Sequence, residues 1–208
     1  MTETLLDRRR RLLRDEIGQI AVGLFASRGF DVVTVDDIAE ATGTSQRTFF
    51  RYFASKDDVV LDLARRLEKR LVAALDDRPQ TEGATAALRN AYCSTSHVPP
   101  GERDRVRQVA TVLSQAPALS ARAHGLYVNE NPELLSRLAQ RMGLQDDDRR
   151  VRVLATSTAA VANVEFHRWA AAGGSGDPSE AIGAALAVLE AGLAVLDDCV
   201  PTDPDART

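Results

Sequence analysis

The sequence predicts an all-α chain: a three-helix head, a long connecting helix and a larger helical body. Three observations carry that expectation. Two short segments, each opened by a capping residue and separated by a glycine, lie between Thr34 and Phe53. Apolar residues elsewhere recur at three- and four-residue intervals, and proline and glycine clusters cut the remainder into helix-length pieces. The predicted boundaries are 1–55 for the head, 56–200 for the body and 201–208 for a disordered tail rich in Pro, Asp and Thr.

The first helix is expected over about residues 7–27, with Leu13, Ile17, Ile20, Ala21 and Leu24 on one stripe. Arg8, Arg9, Arg10, Arg11 and Arg14 gather at its start. Two readings stay open: a solvated face or disordered tail, or an arm whose Arg10 and Arg11 touch phosphates or the minor groove. Thr34, followed three residues later by Asp37, caps a second helix from Val35, whose inner face holds Ile38 and Ala39. Gly43 supplies the sharp turn, and Ser45 caps a third helix.

On that third helix Phe49 and Phe53 stand four apart and are expected to pack inward. Gln46, Arg47, Thr48, Phe50, Arg51 and Tyr52 are left near its start or on its outer side. This is the layout of a DNA-reading helix, whose N-terminal residues meet base edges in the major groove. Glutamine pairs with adenine and arginine with guanine, while Arg51 and Tyr52 suit phosphates. Ser55-Lys56-Asp57-Asp58 then caps a fourth helix, and Lys56 in its first turn is expected beside a phosphate. The predicted DNA-contacting set is therefore Thr34, Ser45, Gln46, Arg47, Thr48, Phe50, Arg51, Tyr52 and Lys56, with Arg10 and Arg11 added from the first helix.

At these residues the chain resembles the tetracycline-repressor (TetR) family of bacterial transcription regulators. The likeness runs through Phe25-Ala-Ser-Arg-Gly-Phe30, Thr34-Val-Asp-Asp-Ile-Ala39 and Gly43-Thr-Ser-Gln-Arg-Thr-Phe-Phe-Arg-Tyr-Phe-Ala-Ser-Lys56, and covers roughly residues 8–60. Phe50 departs from the tyrosine that many members carry, so a phosphate contact through that hydroxyl is lost here or passes to Arg51 and Tyr52. The resemblance implies a homodimeric, ligand-responsive DNA-binding regulator, usually a repressor, acting on a palindromic double-stranded operator.

In the body, a helix from about Lys56 to Leu75 repeats Val59, Val60, Leu63, Leu67, Leu71 and Leu75, and spans roughly 30 Å. Helices over about Thr81–Ser96 and Glu102–Gln115 follow, then a stretch from Pro117 to Met142 interrupted near Asn131-Pro132. Val153 to Val164 carries no charge, so that helix is expected to be covered on most sides. After Gly173-Gly-Ser-Gly176, a last helix from Asp177-Pro178 spaces Ile182, Leu186, Leu189, Leu193 and Leu196 at heptad-like intervals. A four-helix dimer interface built on Ala159, Ile182, Leu186, Leu189 and Leu193 is one reading; packing inside a single chain is the other.

This region also resembles the subgroup whose C-terminal domain is that of the mycofactocin-system regulator, described as binding acyl-CoA-like ligands. The residues behind that are Pro117 to Arg122, Arg141-Met-Gly-Leu144, the helix ending at Trp169, and Gly173 through Leu193. A small-molecule effector site, mostly apolar with a few polar groups, draws its candidates from Leu88, Tyr92, Arg107, Val109, Leu113, Tyr127, Thr156, Asn163 and Trp169, with core packing as the competing role for each. Arg103, Arg107 and Arg122 are either a basic mouth for a phosphate-bearing ligand or a solvated face.

Composition narrows the rest. A chain of 208 residues with 44% hydrophobic content buries a real core, and its net charge of −4 does not exclude DNA, because affinity follows where charge lies. No run of about 18 apolar residues and no signal segment occur, so a cytoplasmic protein without a membrane partner is expected. Cys93 and Cys199 stand apart, and His97, His124 and His167 are scattered, so neither a disulfide, a metal site nor a cofactor is expected. Gly173-Gly-Ser-Gly176 lacks the Lys-Ser/Thr of a phosphate loop, and Asp146-Asp-Asp148 reads as an acidic helix start; no enzyme is expected. The alternatives are a ligand-binding or catalytic helical protein that retains a vestigial head, and a helical scaffold.

Overall fold

The computed structural model describes residues 4–128 and 131–193, all helix and connection with no strand among them. The elements are α1 (Leu5–Arg28), α2 (Val35–Ala41), α3 (Gln46–Tyr52), α4 (Lys56–Asp76), α5 (Ala84–Ser96), a 3-10 turn (Pro100–Glu102), α6 (Arg103–Gln115), α7 (Pro117–Val128), α8 (Pro132–Met142), α9 (Arg149–Ala171) and α10 (Pro178–Leu193). Expected tail residues 201–208, together with Leu196 and Cys199, lie outside the described residues.

The described residues fall into two compact units, and no single cut in the chain separates them. Residues up to Arg65 join Pro100–His124 in one; Arg66–Pro99 joins the residues from Gly125 onward in the other. The helices α4 and α7 therefore each contribute to both.

In the first unit α1 packs on α2 and α6, and α2 on α3. Ile17, Ala21, Val22 and Phe25 are the buried residues of α1; Leu13, Ile20 and Leu24 of the expected stripe are half-buried, while Leu5, Leu6 and Leu12 stand exposed. Arg14 leaves the basic cluster: its guanidinium pairs with Asp62 at 2.7 Å and lies 4.8 Å from the centre of the Phe53 ring. This ties α1 to α4, and partly desolvated pairs of that kind hold better than exposed ones. Within the same unit Arg122 of α7 meets Asp57, in the first turn of α4, at 2.6 Å.

The second unit has a continuous apolar core in which Leu71 and Leu75 of α4, Leu88 and Tyr92 of α5, Leu134 and Leu138 of α8, and Leu154 of α9 are all buried. Arg141 of α8 closes the end of α4 in a way that its apolar neighbours do not announce. Its Nη1 donates to the carbonyls of Pro79 (2.6 Å) and Glu82 (3.2 Å), and its Nη2 to those of Leu75 (3.2 Å) and Arg78 (3.0 Å), which gathers the last turn of α4 and the connection after it around one guanidinium. Asn131 and Asp148 cap α8 and α9, and the side-chain hydrogen bond from Arg150, with its backbone N–H, draws the Asp148 carboxyl down to about 2.

Two expectations about the last helices are corrected here. Ala159, Ile182 and Leu186, assigned by pattern to a dimer face, are buried inside one chain, and Leu189 packs half-buried against the same core. The helix that carries Ile182, Leu186 and Leu189 packs on α5 and α9 of its own chain. Gly183 makes that approach possible: a Cβ there would lie 2.9 Å from the Cys93 Sγ of α5. The side chain of Leu193 lies outside the described residues. Nor is the charge-free stretch of α9 covered on most sides within the chain, since Val153 is 42% and Val164 55% exposed. Leu67 of the α4 stripe is likewise exposed, and Leu61 and Val72 are buried instead.

Candidate nucleic-acid interface

Two caps and one glycine set this surface. Thr34 Oγ1 accepts the N–H of Asp37 at 3.2 Å, and the Asp37 carboxylate accepts the Thr34 N–H at 2.8 Å and hydroxyl at 2.5 Å. That reciprocal box satisfies two orphan donors of α2. The Thr34 hydroxyl, then the Thr34 N–H, hold the Asp37 carboxyl below its ordinary range. At Gly43 φ is 62° with nothing within 4 Å of where a Cβ would stand, so the left-handed backbone, not crowding, calls for glycine. Ser45 Oγ then accepts the Thr48 N–H at 3.2 Å and starts α3.

The inner side of α3 is aromatic. Phe49 is fully buried and Phe53 nearly so, their rings 5.6 Å apart, while Phe25 and Phe30 meet edge-on at 5.0 Å. With the helix anchored in this way its rotation is set, and the other side is presented to solvent. Gln46, Arg47, Phe50 and Arg51 are exposed there; Thr48 and Tyr52 are half-buried at the margin. Arg51 stacks over the Tyr52 ring at 5.0 Å and donates to its hydroxyl at 3.4 Å, so the two present one cation with a fixed aromatic base. Phe50 is 53% exposed and edge-on to Phe49 at 5.5 Å, a placement open to a thymine methyl rather than a phosphate. Gln46 donates from Nε2 to Oδ1 of Asp36 on α2.

Lys56 is put to a different use from the one expected. Its Nζ donates to the carbonyls of Phe30 (2.7 Å), Asp31 (3.2 Å) and Val33 (3.2 Å), and lies 4.6 Å from the Phe30 ring centre. An ammonium has three donors, and all are committed. Lys56 thus ties the α1–α2 connection to the start of α4 in place of meeting a phosphate with its side chain. Arg10 and Arg11 are exposed on a regular helical turn of α1, which removes the disordered-tail reading of that run.

The proposed effector residues are divided between the two units. Arg107, Val109 and Leu113 belong to the first unit, and Arg107 is paired with Asp104 at 3.0 Å; Arg122 is held by Asp57. In the second unit Leu88 and Tyr92 are core residues, Thr156 and Asn163 stand exposed on α9, and the side chain of Tyr127 lies outside the described residues. Trp169 is buried and donates from Nε1 to the Gly176 carbonyl at 3.3 Å, holding the glycine loop before α10. Asp36 is the residue of this surface that sequence reasoning missed. Its partner lies ten positions away, beyond any capping pattern, and two adjacent acids at a helix start read only as complements of the helix dipole.

Residues 19–63 match the family of bacterial regulatory proteins described as the tetR family, and residues 82–194 match the MftR C-terminal domain. Over 192 residues the chain is 33% identical to a candidate mycofactocin biosynthesis transcriptional regulator, MftR, of Mycobacterium tuberculosis, which spans 92% of this chain and 96% of that protein. It is 32% identical over 176 residues to the transcriptional regulator TcmR of Streptomyces glaucescens, 79% of this chain and 76% of that one. The solved structure of the transcriptional regulator FadR from Bacillus subtilis, in complex with stearoyl-CoA, shares the fold at a TM-score of 0.59 and 18% identity, over 86% of this chain and 98% of that chain.

Proposed function

The chain belongs to the tetR family of bacterial regulatory proteins with an MftR-type C-terminal domain, and from that premise we propose that it holds a palindromic operator as a homodimer and releases it on binding an amphipathic effector. That it is a DNA-binding transcriptional regulator follows from the family itself. The observation that carries operator reading is the outer face of α3, where Gln46, Arg47, Phe50 and Arg51 are exposed on a helix locked by Phe49 and Phe53. Partnered with DNA, it acts in the cytoplasm as a regulator, not a catalyst.

What supports a dimer is a pair of uncharged exposed stripes. Val153, Thr156, Ala160, Asn163 and Val164 recur at helical spacing on α9; Ala181, Ala184, Ala187, Val188 and Ala191 do so on α10. Small residues let two such helices approach closely, and a second copy covers both stripes around a two-fold axis. Each α3 then meets one half-site, with centres roughly 34–36 Å apart.

The effector class we propose is that of long-chain acyl-CoA, supported by the FadR complex with stearoyl-CoA and by the apolar core around Leu88 and Tyr92. Because those side chains are fully packed, a ligand reaching them has to open the helices, and binding and conformational change are one event. The helix α4, continuous from Lys56 to Asp76, is the element through which that change passes to the head. Two measurements test the proposal. Selection from random duplexes is expected to enrich one inverted repeat; enrichment of nothing overturns operator reading. Calorimetric titration of free protein and of the protein–operator complex with an acyl-CoA series is expected to show weaker binding to the complex, since coupling is reciprocal. Equal affinities exclude that ligand class as inducer.

A further inference from the structure

We infer that Asp36 decides which base Gln46 reads, by holding one N–H of the Gln46 amide and leaving its carbonyl and second N–H to the groove; this rests on the operator-reading function proposed above. Asp36 is the second residue of α2 and Gln46 the first of α3, both exposed, and Oδ1 of the one accepts from Nε2 of the other. The neighbouring Asp37 has other work, in the capping box and 3.7 Å from Arg28. Asp36 is thus the acid turned to the reading residue.

The consequence follows from counting donors and acceptors. A glutamine amide carries two N–H donors and one carbonyl acceptor, and a free one presents either edge. A carboxylate only accepts. The amide nitrogen must therefore face Asp36, which discards one of the two orientations and consumes one donor. One N–H and the carbonyl remain. Adenine offers N7 as an acceptor and N6 as a donor in the major groove, which that remainder matches. Guanine offers N7 and O6, both acceptors, and a glutamine with one donor left satisfies only one of them. The negative charge of Asp36 also disfavours an acceptor-only edge beside it. Asp36 is then a positioning residue, acting on the base through Gln46.

The test is selection from random duplexes with wild type, Asp36→Ala, Gln46→Ala and the double variant, with thermal melting to confirm the fold. Wild type is expected to enrich adenine at the half-site position that Gln46→Ala releases. In Asp36→Ala the adenine-to-guanine ratio at that position falls about tenfold, within the usual worth of one bidentate base contact, and the other positions keep their preferences. In the Gln46→Ala background, adding Asp36→Ala changes no base preference. Should Asp36→Ala not fold, Asp36→Asn serves, because its amide accepts and donates and so readmits both orientations. Enrichment of guanine by wild type at that position overturns the inference, as does a uniform affinity change with all preferences kept, or an equal shift with and without Gln46. A wild type that enriches no sequence sinks the operator-reading function itself, a result distinct from these.

Discussion

The helices α3 and α10 each bury one seam and expose another, but their exposed faces differ in kind. The seven residues of α3 bury Phe49 and expose an amide, two guanidiniums and a phenyl ring. In α10, sixteen residues long, Pro178, Ile182 and Leu186 are buried, and from Ala181 to Gly192 the exposed positions are alanine, valine and glycine. Both faces are open to a partner, for opposite reasons. Guanidiniums and an amide are ready to exchange hydration for phosphates and base edges. An aliphatic face such as that of Val188, 76% exposed, gains only by being covered. The difference teaches that the partner of a helix is read from what its outer face lacks, while the inner face reports only that the helix packs.

The largest expected effect separates the two faces of α10. Val188→Glu, with Ala184→Glu beside it, is expected to leave the fold intact and to give monomers, since an unpaired charge buried at an interface costs several kcal/mol, about 3–5. Sedimentation decides this: a doubly substituted chain that still dimerises removes α10 from the interface. By contrast, Leu186→Ala should lower unfolding stability by about 2–5 kcal/mol, seen by denaturant melting, because it empties core. If Leu186→Ala left stability unchanged, the inward assignment of that residue would be lost.

On α3 the effects are smaller and chemical. Arg47→Ala is expected to weaken specific operator binding by about 1–3 kcal/mol and to relax one base position. Lys56→Met, in turn, should destabilise the fold by about 1–3 kcal/mol by freeing carbonyls of the α1–α2 connection, with little change in base preference. Competition binding with single-base operator variants, paired with melting, distinguishes them. The pair would exchange roles if Lys56→Met altered only the salt dependence of binding.

The smallest effect is that of Thr34→Ala, about 1 kcal/mol of stability through loss of the α2 cap. It carries a pH signature. The Asp37 carboxyl is held low by Thr34, so its contribution is present above the unfolded value of about 3.9 and is lost as pH falls through the lower folded one. Melting temperature followed from pH 6 downward should therefore drop less steeply in Thr34→Ala than in wild type. Equal slopes would show that the box does not act through Asp37.

What the sequence determined by itself is what is settled within three or four residues along the chain. Thr34 and Asp37, Gly43, Ser45 with Thr48, and Phe49 with Phe53 all take the places their spacing predicts, because a cap, a left-handed turn and an i,i+4 pair involve only near neighbours. The helices of the body were legible in the same way, down to the break before Pro132. What remained was decided by tertiary structure. Lys56 reaches back to carbonyls 23–26 residues earlier, Asp36 meets Gln46 across a turn, and Arg141 closes a helix end more than 55 residues away. The same holds for α10. An apolar stripe states that a helix has a buried side, but Ile182 and Leu186 would show the same spacing against a partner subunit as they do against α5 and α9. Hydrophobic burial has no direction of its own, so only the packed chain decides which surface is left for a second copy.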